Sequence, residues 1–361
     1  MEENMKKRVI SVLLCLAMSI SLLAGCGSSA NNASGDQSLA GTELNLFTWA
    51  GMFPQEVLDG FEEETGVKIN YSNFDYDEDM LAKLAEAEGG TYDFIIADDY
   101  ILEVVEQQGL SQDLDKSRLK NYANINPTFQ GQFYDEDDSF TIPYGAGIPL
   151  IVYDPLLVEK EITGYADLWD PALENNVALI GNYRVINGIT LKTLGESFNV
   201  NDLETIRKAG DRLLEMSPNV RAIVDSNTQD LLLSGEVAAA FMYSSQVYLA
   251  LMANPDLEVV YPKEGLGFGI MAGFIPSKAP NADAAYAFID YLLRPEISAQ
   301  CTEYIGYFST NSAAEKYISK SVKDALVLPE AVESGEFIQN IDPEAEDLHA
   351  TIWNEFKAAC E

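Results

Sequence analysis

The sequence predicts a mixed α/β fold in which two lobes form a clamp around a cleft. Three observations support this prediction. Strand and helix patterns alternate from residue 42 to residue 107, a second alternation runs from 177 to 271, and glycine-dense stretches occur between and after them. The chain has 361 residues, of which 47% are hydrophobic, so it is long enough for two packed domains.

The first alternation predicts βαβ units on a parallel sheet. Three segments have strand patterns, and they are Thr42–Phe47, Val67–Tyr71 and Tyr92–Ala97. The helices between them are predicted after Pro54 (ending near Gly66), over Asp77–Glu88 and over Tyr100–Gln107. Ligands of such sheets gather at the carboxyl ends of the strands. Those ends are Thr48–Gly51 and Asp98–Tyr100.

The middle of the chain continues with strands and then repeats the α/β pattern. Its strand candidates are Ser139–Tyr144, Gly147–Asp154, Val177–Ile180, Arg221–Val224, Glu236–Tyr243 and Leu257–Tyr261. Helices are predicted over Asp202–Met216, Ala282–Leu293 (stopped by Pro295) and Ala345–Cys360. The acidic run Tyr134–Asp138 is expected to be a solvated turn, because a calcium loop needs wider ligand spacing.

Two glycine-rich crossings are predicted to join the lobes. Gly145 and Gly147 lie in the first, and Gly269 and Gly273 in the second. Hinges need residues that absorb large backbone changes, although the same glycines could instead serve tight turns at sheet edges. We predict that lobe I comprises 42–146 and 272–315, and that lobe II comprises 147–271 and 316–361.

The N-terminus predicts export. Basic residues Lys6–Arg8 precede an apolar run, Val9–Leu23, which is too short for a membrane span and suits a signal peptide. The run ends in Leu23–Cys26, which resembles a bacterial lipobox. We therefore expect a signal peptide over 1–25, lipidation of Cys26 and a flexible tether over 26–41, which place the protein on the extracytoplasmic face of the membrane. An ordinary signal peptide with an incidental cysteine is the alternative.

Charge and rare residues exclude several classes of function. The chain has 58 acidic and 22 basic residues, a formal net charge of −36, which argues against nucleic-acid binding and a polybasic membrane patch. His349 is the only histidine, so multi-histidine zinc sites are excluded and no metal or cofactor is expected. Cys301 and Cys360 could pair in an oxidising compartment, but two separate thiols are favoured.

An ordered set of segments is similar to the spermidine/putrescine-binding proteins of ABC importers. The segments are Leu46–Trp49, Phe61–Lys68, Tyr92–Ala97, Ile142–Gly145, Tyr165–Trp169, Ser234–Val237, Tyr261–Gly265, Phe288–Pro295 and Ile305–Tyr307. The resemblance covers about 42–350. It implies a periplasmic-binding-protein-like clamp with two lobes, which hold a solute in the cleft between them and close when it binds. It also implies delivery of the solute to a membrane permease with a cytoplasmic ATPase. We expect the protein to be a monomer.

Four aromatic residues fall on cleft positions of that family, and they are Trp49, Tyr100, Tyr243 and Tyr307. A polyamine is a flexible chain that carries several ammonium groups. Carboxylates must pair with those groups, and aromatic faces cover the methylenes and add cation–π attraction. Each of the four side chains could alternatively be part of the core.

The acidic positions depart from the family pattern. Asn182, Val185 and Met271 fall where the family has carboxylates, and Met52 falls where it has a tyrosine. Asp98 replaces a serine and lies beside Asp99, so either carboxylate could pair with one ammonium group. The resemblance thus implies a small amine as the solute and leaves its identity open.

Two alternatives to an amine-binding protein remain open. The same clamp could bind an anionic or zwitterionic solute through Arg184 and the amides near Asn182. A surface-anchored hydrolase could use Asp98 and Asp99, but adjacent acids on a strand point to opposite sides. No G-x-S-x-G, H-E-x-x-H or P-loop pattern occurs in the sequence, so we expect the protein not to be an enzyme.

Overall fold

The computed structural model describes residues 39–224, 227–326 and 335–361. The predicted signal peptide, Cys26 and most of the predicted tether lie outside the described residues. The described residues contain twelve strands, numbered in chain order. They are β1 (Glu43–Thr48), β2 (Lys68–Asn73), β3 (Phe94–Asp98), β4 (Thr141–Gly147), β5 (Pro149–Tyr153), β6 (Val177–Leu179), β7 (Val220–Ile223), β8 (Ala239–Tyr243), β9 (Glu258–Val260), β10 (Gly267–Phe274), β11 (Phe308–Ser309) and β12 (Glu336–Phe337).

The α-helices of the described ranges are likewise numbered in chain order. They are α1 (Gln55–Thr65), α2 (Asp77–Glu86), α3 (Asp99–Gln107), α4 (Tyr183–Thr193), α5 (Leu203–Leu214), α6 (Thr228–Leu233), α7 (Ser244–Ala253), α8 (Ala282–Leu292), α9 (Pro295–Ile305), α10 (Lys320–Ala325) and α11 (Pro343–Cys360). Short 3₁₀ turns connect several of them.

The strands form two mixed sheets. In the first sheet the order is β11-β4-β10-β3-β1-β2, and β12 also pairs with β10. Strand β1 is parallel to β2 and β3, as the βαβ pattern predicts, whereas β10 is antiparallel to β3 and β4. In the second sheet the order is β7-β6-β8-β5-β9, with β6 parallel to β7 and β8. The predicted α/β class is therefore confirmed.

Local sequence explains where the first helix begins and ends. Pro54 is the N-cap residue of α1, and Gly66 closes the helix with φ 71°. Glycine adopts this left-handed conformation without a Cβ penalty, and its N–H donates to Glu62 O at 2.8 Å. Val57 and Phe61, one turn apart, are fully buried on the inner face of the helix.

The core follows the alternation of side chains along the first-sheet strands. Leu44 and Leu46 of β1 face a cluster formed with α1 and α8, whereas Phe47 points to the opposite face. That opposite face joins a hydrophobic cluster that continues into the second sheet through residues such as Ile151 and Phe241. Burying both faces explains why these strands have long apolar runs.

The chain crosses between the sheets at a single residue and again in a longer connection. Ile148 separates β4 of the first sheet from β5 of the second, and 261–266 connect β9 to β10. Gly147 ends β4 at the first crossing, but Gly269 and Gly273 lie inside β10 rather than in the connection. Residues 267–271, assigned above to lobe II, pair within the first sheet, and the lobe boundaries stay a prediction.

The structure differs from the sequence predictions at Pro295 and in the acidic run, and it agrees with them at the cysteines. Pro295 begins α9 as well as following α8, because proline is tolerated in the first helical turn. The acidic run is not simply solvated: Asp135 is 4% exposed, and its carboxylate accepts hydrogen bonds from the N–H groups of Ser139 and Thr141 at 2.6 and 2.8 Å. The two cysteines are free thiols, as favoured above. None of the described helices has the length and apolar character needed to span a bilayer.

Candidate functional site

The candidate site lies where β1, β2 and β3 end together at the carboxyl edge of the first sheet. Trp49 follows β1 directly, and Asp98 is both the last residue of β3 and the N-cap residue of α3. Strand β10 lies beside β3, with Met271 opposite Asp98. The topology therefore brings together Trp49, Asp98, Asp99 and Met271 from separate parts of the sequence.

Four carboxylates gather at this edge. Asp77 and Glu78 open α2, which follows β2, while Asp98 and Asp99 join β3 to α3. One carboxylate oxygen of Asp77 accepts a hydrogen bond from the Asp98 N–H at 3.2 Å. The Asp99 carboxylate accepts hydrogen bonds from the Tyr100 and Ile270 N–H groups at 2.8 and 2.9 Å, so it also ties α3 to β10.

Burial and mutual repulsion disfavour full ionisation of Asp77, Asp98 and Asp99. Burial and the charge of Glu78 raise the pKa of Asp98 to about 7. Burial and the charge of Asp98 raise the pKa values of Asp77 and Asp99 well above the usual range of aspartate, although hydrogen bonds from backbone N–H groups oppose the shift. In the described part of the chain, none of the four carboxylates has a Lys, Arg or His partner within 4.0 Å. A bound cation would relieve this repulsion.

Three of the predicted aromatic residues lie at the same edge of the first sheet as the carboxylates. Trp49 is half-buried and packs on Phe74 with ring centroids 5.1 Å apart. The Tyr100 hydroxyl donates to Glu78 Oε1 at 3.1 Å. Tyr307 is half-buried, and the charge of Asp98 contributes, after burial, to a pKa of about 12 for its hydroxyl. These rings and carboxylates have the chemistry that a cation with an apolar stem requires.

The two predicted methionines are more enclosed. Met52 and Met271 are each 6% exposed and belong to the hydrophobic cluster beneath the first sheet. The carbonyl oxygen of Met52 accepts a hydrogen bond from the Tyr144 hydroxyl at 2.5 Å. Met271 therefore supplies an apolar neighbour to Asp98 but no charge, as its residue type predicts. The assignment of both residues to ligand contact stays a prediction.

The remaining predicted residues lie at the carboxyl edge of the second sheet. Asn182 is the N-cap residue of α4, and its side-chain oxygen accepts from the Val185 N–H at 3.2 Å. Tyr243 ends β8, and its N–H donates to Gln246 Oε1 at 3.1 Å. Tyr183, next to Asn182, has a pKa raised by burial, by Glu346 and also by Glu78. The electrostatic effect of Glu78 on Tyr183 indicates that the two sheet edges approach each other here.

Arg184 is held inside the second lobe by partners from the C-terminal part of the chain. Its guanidinium donates to Glu346 Oε2 at 2.8 Å and to the Gln339 carbonyl at 3.1 Å. The Tyr183 hydroxyl also donates to Glu346. The Arg184 side chain is only 13% exposed, so it serves mainly to dock α11 on α4. The charge of Arg184 is therefore already paired with Glu346.

The same helix pair encloses the only histidine. His349 is 1% exposed, and its backbone carbonyl accepts from Asn187 Nδ2 at 3.0 Å. Neither ring nitrogen has a hydrogen-bond partner in the described structure. Burial, with a smaller effect of the Arg184 charge, lowers the pKa of His349 to about 4. The neutral imidazole is therefore the form that the fold accommodates.

We expect the contribution of His349 to stability to fall in acid. A histidine whose pKa is lowered by folding is protonated first in the unfolded chain, so this contribution is present above about pH 6.5 and is lost towards pH 4. Between pH 7 and pH 5 the free energy of unfolding of His349→Gln should fall by about 1–2 kcal/mol less than that of wild type, as measured by urea unfolding at the two pH values. The single imidazole signal in the NMR spectrum should also keep its neutral shift at pH 5.

The comparison with wild type is needed because buried acids act in the opposite direction. The raised pKa values of Asp77, Asp98 and Asp99 mean that their contribution is present at low pH and is lost as the pH rises through their folded pKa values. An imidazole that titrates near pH 6.5 in the folded protein would contradict the prediction for His349.

The residues that sequence reasoning missed are Asp77, Glu78 and Ser245. Asp77 and Glu78 follow β2, so the rule that ligands gather at carboxyl ends could have found them, but their helical pattern was assigned only to α2. Ser245 lies in α7, and its side chain forms a hydrogen bond with the Tyr307 hydroxyl. No local signal marks that contact. Within the described ranges, no group of three or more His, Cys, Asp or Glu side chains is arranged to hold a metal ion.

Comparison with protein families and with known sequences gives one consistent result. The model of the family described as bacterial extracellular solute-binding protein matches residues 56–329. The chain is 33% identical over 319 residues to the spermidine/putrescine-binding periplasmic protein of Salmonella typhimurium, covering 87% of this chain and 91% of that protein. It is 26% identical over 363 residues to the putrescine/agmatine-binding protein of Pseudomonas aeruginosa, covering 94% of this chain and 98% of that one.

Solved structures give the same fold. The spermidine/putrescine ABC transporter substrate-binding protein PotD of Streptococcus pneumoniae, in complex with calcium and HEPES, has a TM-score of 0.79 and 30% identity, covering 89% of this chain and 100% of that chain. A putative spermidine/putrescine ABC transporter of Listeria monocytogenes has a TM-score of 0.80 and 30% identity, covering 88% of this chain and 99% of that chain.

Proposed function

The chain belongs to the bacterial extracellular solute-binding protein family, and we propose that within it the protein captures a small amine for an ABC importer. Its role is to bind the solute between the two lobes and deliver it to a permease powered by a cytoplasmic ATPase. The relatives named above bind spermidine, putrescine or agmatine according to their names, and all three solutes are cationic amines.

The observation that carries the amine proposal is the carboxylate group at the edge of the first sheet. Asp77, Glu78, Asp98 and Asp99 lie together without a basic partner in the described structure, and three of them have raised pKa values. An ammonium group would satisfy these charges, and Trp49 and Tyr100 offer aromatic surface for the attached methylenes. Arg184, which an anion would need, is already paired with Glu346.

The second-lobe edge favours a short amine or one with a single strongly paired end. Asn182 and Val185 at the start of α4 provide an amide and an isopropyl group, and Met271 of β10 in the first sheet adds a thioether beside Asp98. Glu346, which lies behind this edge, is paired with Arg184. A long triamine would therefore bring its far ammonium group towards uncharged side chains. We propose that a diamine such as putrescine binds more tightly than spermidine.

We propose that the protein binds its solute without catalysing a reaction on it. The hydrolase alternative needs Asp98 and Asp99 as an acid and base pair, but both Asp99 oxygens accept hydrogen bonds from backbone N–H groups.

We further propose that the protein acts as a monomer anchored through lipid at Cys26, as the lipobox-like segment indicates. Metabolic labelling with a radioactive fatty acid should mark wild type and not Cys26→Ala.

A thermal-shift panel on the purified protein tests the proposed ligand class. The panel contains putrescine, cadaverine, agmatine, spermidine, amino acids, citrate and phosphate at equal concentrations. A ligand at about 100 times its Kd stabilises the folded state by about 2.7 kcal/mol, which gives a clear shift in melting temperature. We expect the diamines to give the largest shifts. Larger shifts with the anions than with any amine would overturn the proposal.

Trp49 provides a second test. We expect Trp49→Ala to weaken putrescine binding about 3- to 30-fold, because a desolvated cation–π contact contributes about 0.5–2 kcal/mol. Tyr243→Ala should also weaken binding, whereas Tyr317→Ala, at a residue that is 50% exposed, serves as the control. Affinities are measured by calorimetry, and melting temperatures of the ligand-free proteins check that folding is intact. Unchanged affinity in both test variants would remove these rings from the site.

A further inference from the structure

We propose that Ser245, together with Gly147, positions Tyr307 across the crossing at Ile148 and thereby holds the two lobes in the closed arrangement. This inference rests on the proposed solute-binding function. It concerns residues that support the site rather than residues that contact the solute. Three sets of contacts around the crossing lead to it.

The first set of contacts is the packing of the Tyr307 ring against β4. A Cβ atom on Gly147 would lie 2.7 Å from Tyr307 Cε1, and one on Gly145 would lie 3.5 Å from Tyr307 Cβ. Both glycines belong to β4, which pairs with β11 directly after Tyr307. The 3.5 Å separation at Gly145 is an ordinary van der Waals contact, so it is the absence of a side chain at Gly147 that lets the ring lie against the end of β4 before the chain crosses.

The second set comes from α7, which follows β8 of the second sheet. Ser244 is 1% exposed, and its hydroxyl oxygen accepts a hydrogen bond from the Ile148 N–H at 3.3 Å. The next residue, Ser245, forms a hydrogen bond with the Tyr307 hydroxyl. Consecutive residues of α7 thus hold the crossing itself and the aromatic ring beside it.

The third set extends the same contact into an apolar cluster. A Cβ atom on Gly306 would lie 2.5 Å from Cδ1 of Tyr248, one turn along α7 from Ser245. Gly306 caps α9 with φ 69° and immediately precedes Tyr307. Tyr248 also belongs to a buried cluster with Ala299 of α9 and Val322 of α10. The turn that presents Tyr307 is therefore pressed against a helix of the second lobe.

Through these contacts Tyr307 links the two lobes, in addition to its proposed contact with the solute in the cleft. Its ring rests on the first sheet, its hydroxyl is bonded to a helix of the second lobe, and the charge of Asp98 acts on it from the site. The bond to Ser245 is one of the contacts that would have to break or stretch when the lobes separate, together with the packing of Gly306 on Tyr248. A solute that contacts Tyr307 and Asp98 would thus stabilise closure at the crossing.

The first arm of the test uses the protein without ligand. Hydrogen–deuterium exchange should be about threefold to tenfold faster at Ile148 and at residues 308–309 in Ser245→Ala and in Tyr307→Phe than in wild type, because each variant removes one hydrogen bond. Ser234→Ala, which alters an exposed serine elsewhere in the second lobe, is the matched control. Unchanged exchange in both test variants would overturn the proposal.

The second arm measures putrescine kinetics through tryptophan fluorescence. Ser245→Ala should raise the dissociation rate constant about threefold to tenfold, leave the association rate constant within about twofold, and be rescued by Ser245→Thr. Gly147→Ala should have the same effect, because its methyl group displaces the ring. The double variant Ser245→Ala/Tyr307→Phe should be no worse than the stronger single variant, and additive effects would contradict a shared bond.

The two arms separate this inference from the proposed function. If putrescine and the other amines fail to bind wild type, the proposed ligand class is wrong, while the exchange experiment still tests the contact at the crossing. If putrescine binds but neither exchange nor dissociation responds to Ser245→Ala, the solute assignment stands and the positioning role is refuted.

Discussion

Asp98→Asn is expected to reduce putrescine affinity about 10- to 100-fold at pH 8. A hydrogen bond to a charged group contributes about 1.5–3 kcal/mol, and the asparagine amide cannot replace the carboxylate charge. Calorimetry at pH 8 measures the change. Asp79→Asn is the matched control, since Asp79 is an exposed aspartate in the first turn of α2. Equal affinity in wild type and Asp98→Asn would exclude Asp98 from ammonium binding.

The same variant should also change the pH dependence of binding. With a pKa of about 7, Asp98 is largely protonated at pH 6 and largely ionised at pH 8 in the free protein. Since the amine binds the ionised form, wild-type affinity should rise about tenfold over this interval, with proton release on binding. In Asp98→Asn the increase should be smaller. Titrations in buffers with different ionisation enthalpies count the released protons directly.

Gly273→Ala is expected to destabilise the fold by about 1–3 kcal/mol, or more if the backbone cannot shift. A Cβ atom at Gly273 would lie 2.2 Å from Cζ of Phe94, whose ring is 2% exposed and contacts Phe288 at a centroid distance of 6.0 Å. The ring therefore has little room to move. Urea unfolding monitored by circular dichroism measures the loss.

Gly269→Ala is a control from the same strand. A Cβ atom there would lie 3.6 Å or more from the Asp99 carboxylate, an ordinary van der Waals separation. The double variant Gly273→Ala/Phe94→Leu should recover part of the stability, because the smaller side chain leaves space for the new methyl group. Equal stabilities of Gly273→Ala and Gly269→Ala would contradict the steric argument.

The sequence was sufficient for elements whose signal is local. The alternation in β1 and the caps of α1 depend on neighbouring residues, and the structure confirms both strand and helix there. It was insufficient where tertiary contacts decide. Asp135 is buried because backbone N–H groups of the following residues converge on its carboxylate. Strands β11 and β12 have two residues each, too few to show any period.

In the candidate site, too, some residues could be placed from local sequence patterns, whereas others depend on tertiary contacts. Trp49, Asp98 and Asp99 could be placed at strand ends from the pattern of β1 and β3 alone. The contribution of Glu78 depends on how α2 approaches α3, which is set by packing, and its bond to Tyr100 has no sequence signal. Whether Asn182, Val185, Tyr243 and Met271 contact the solute stays a prediction, since it depends on the geometry of the liganded protein.

The position of β10 has a consequence for the biogenesis of an exported chain. This strand lies between β3 and β4 and also pairs with β12, so a single late segment bridges parts of the first sheet that are made much earlier. Until residues 267–274 emerge on the far side of the membrane, β3 and β4 have exposed edges that are prone to intermolecular pairing. Maturation should therefore be slow during secretion, and chains truncated before β10 should aggregate or be degraded.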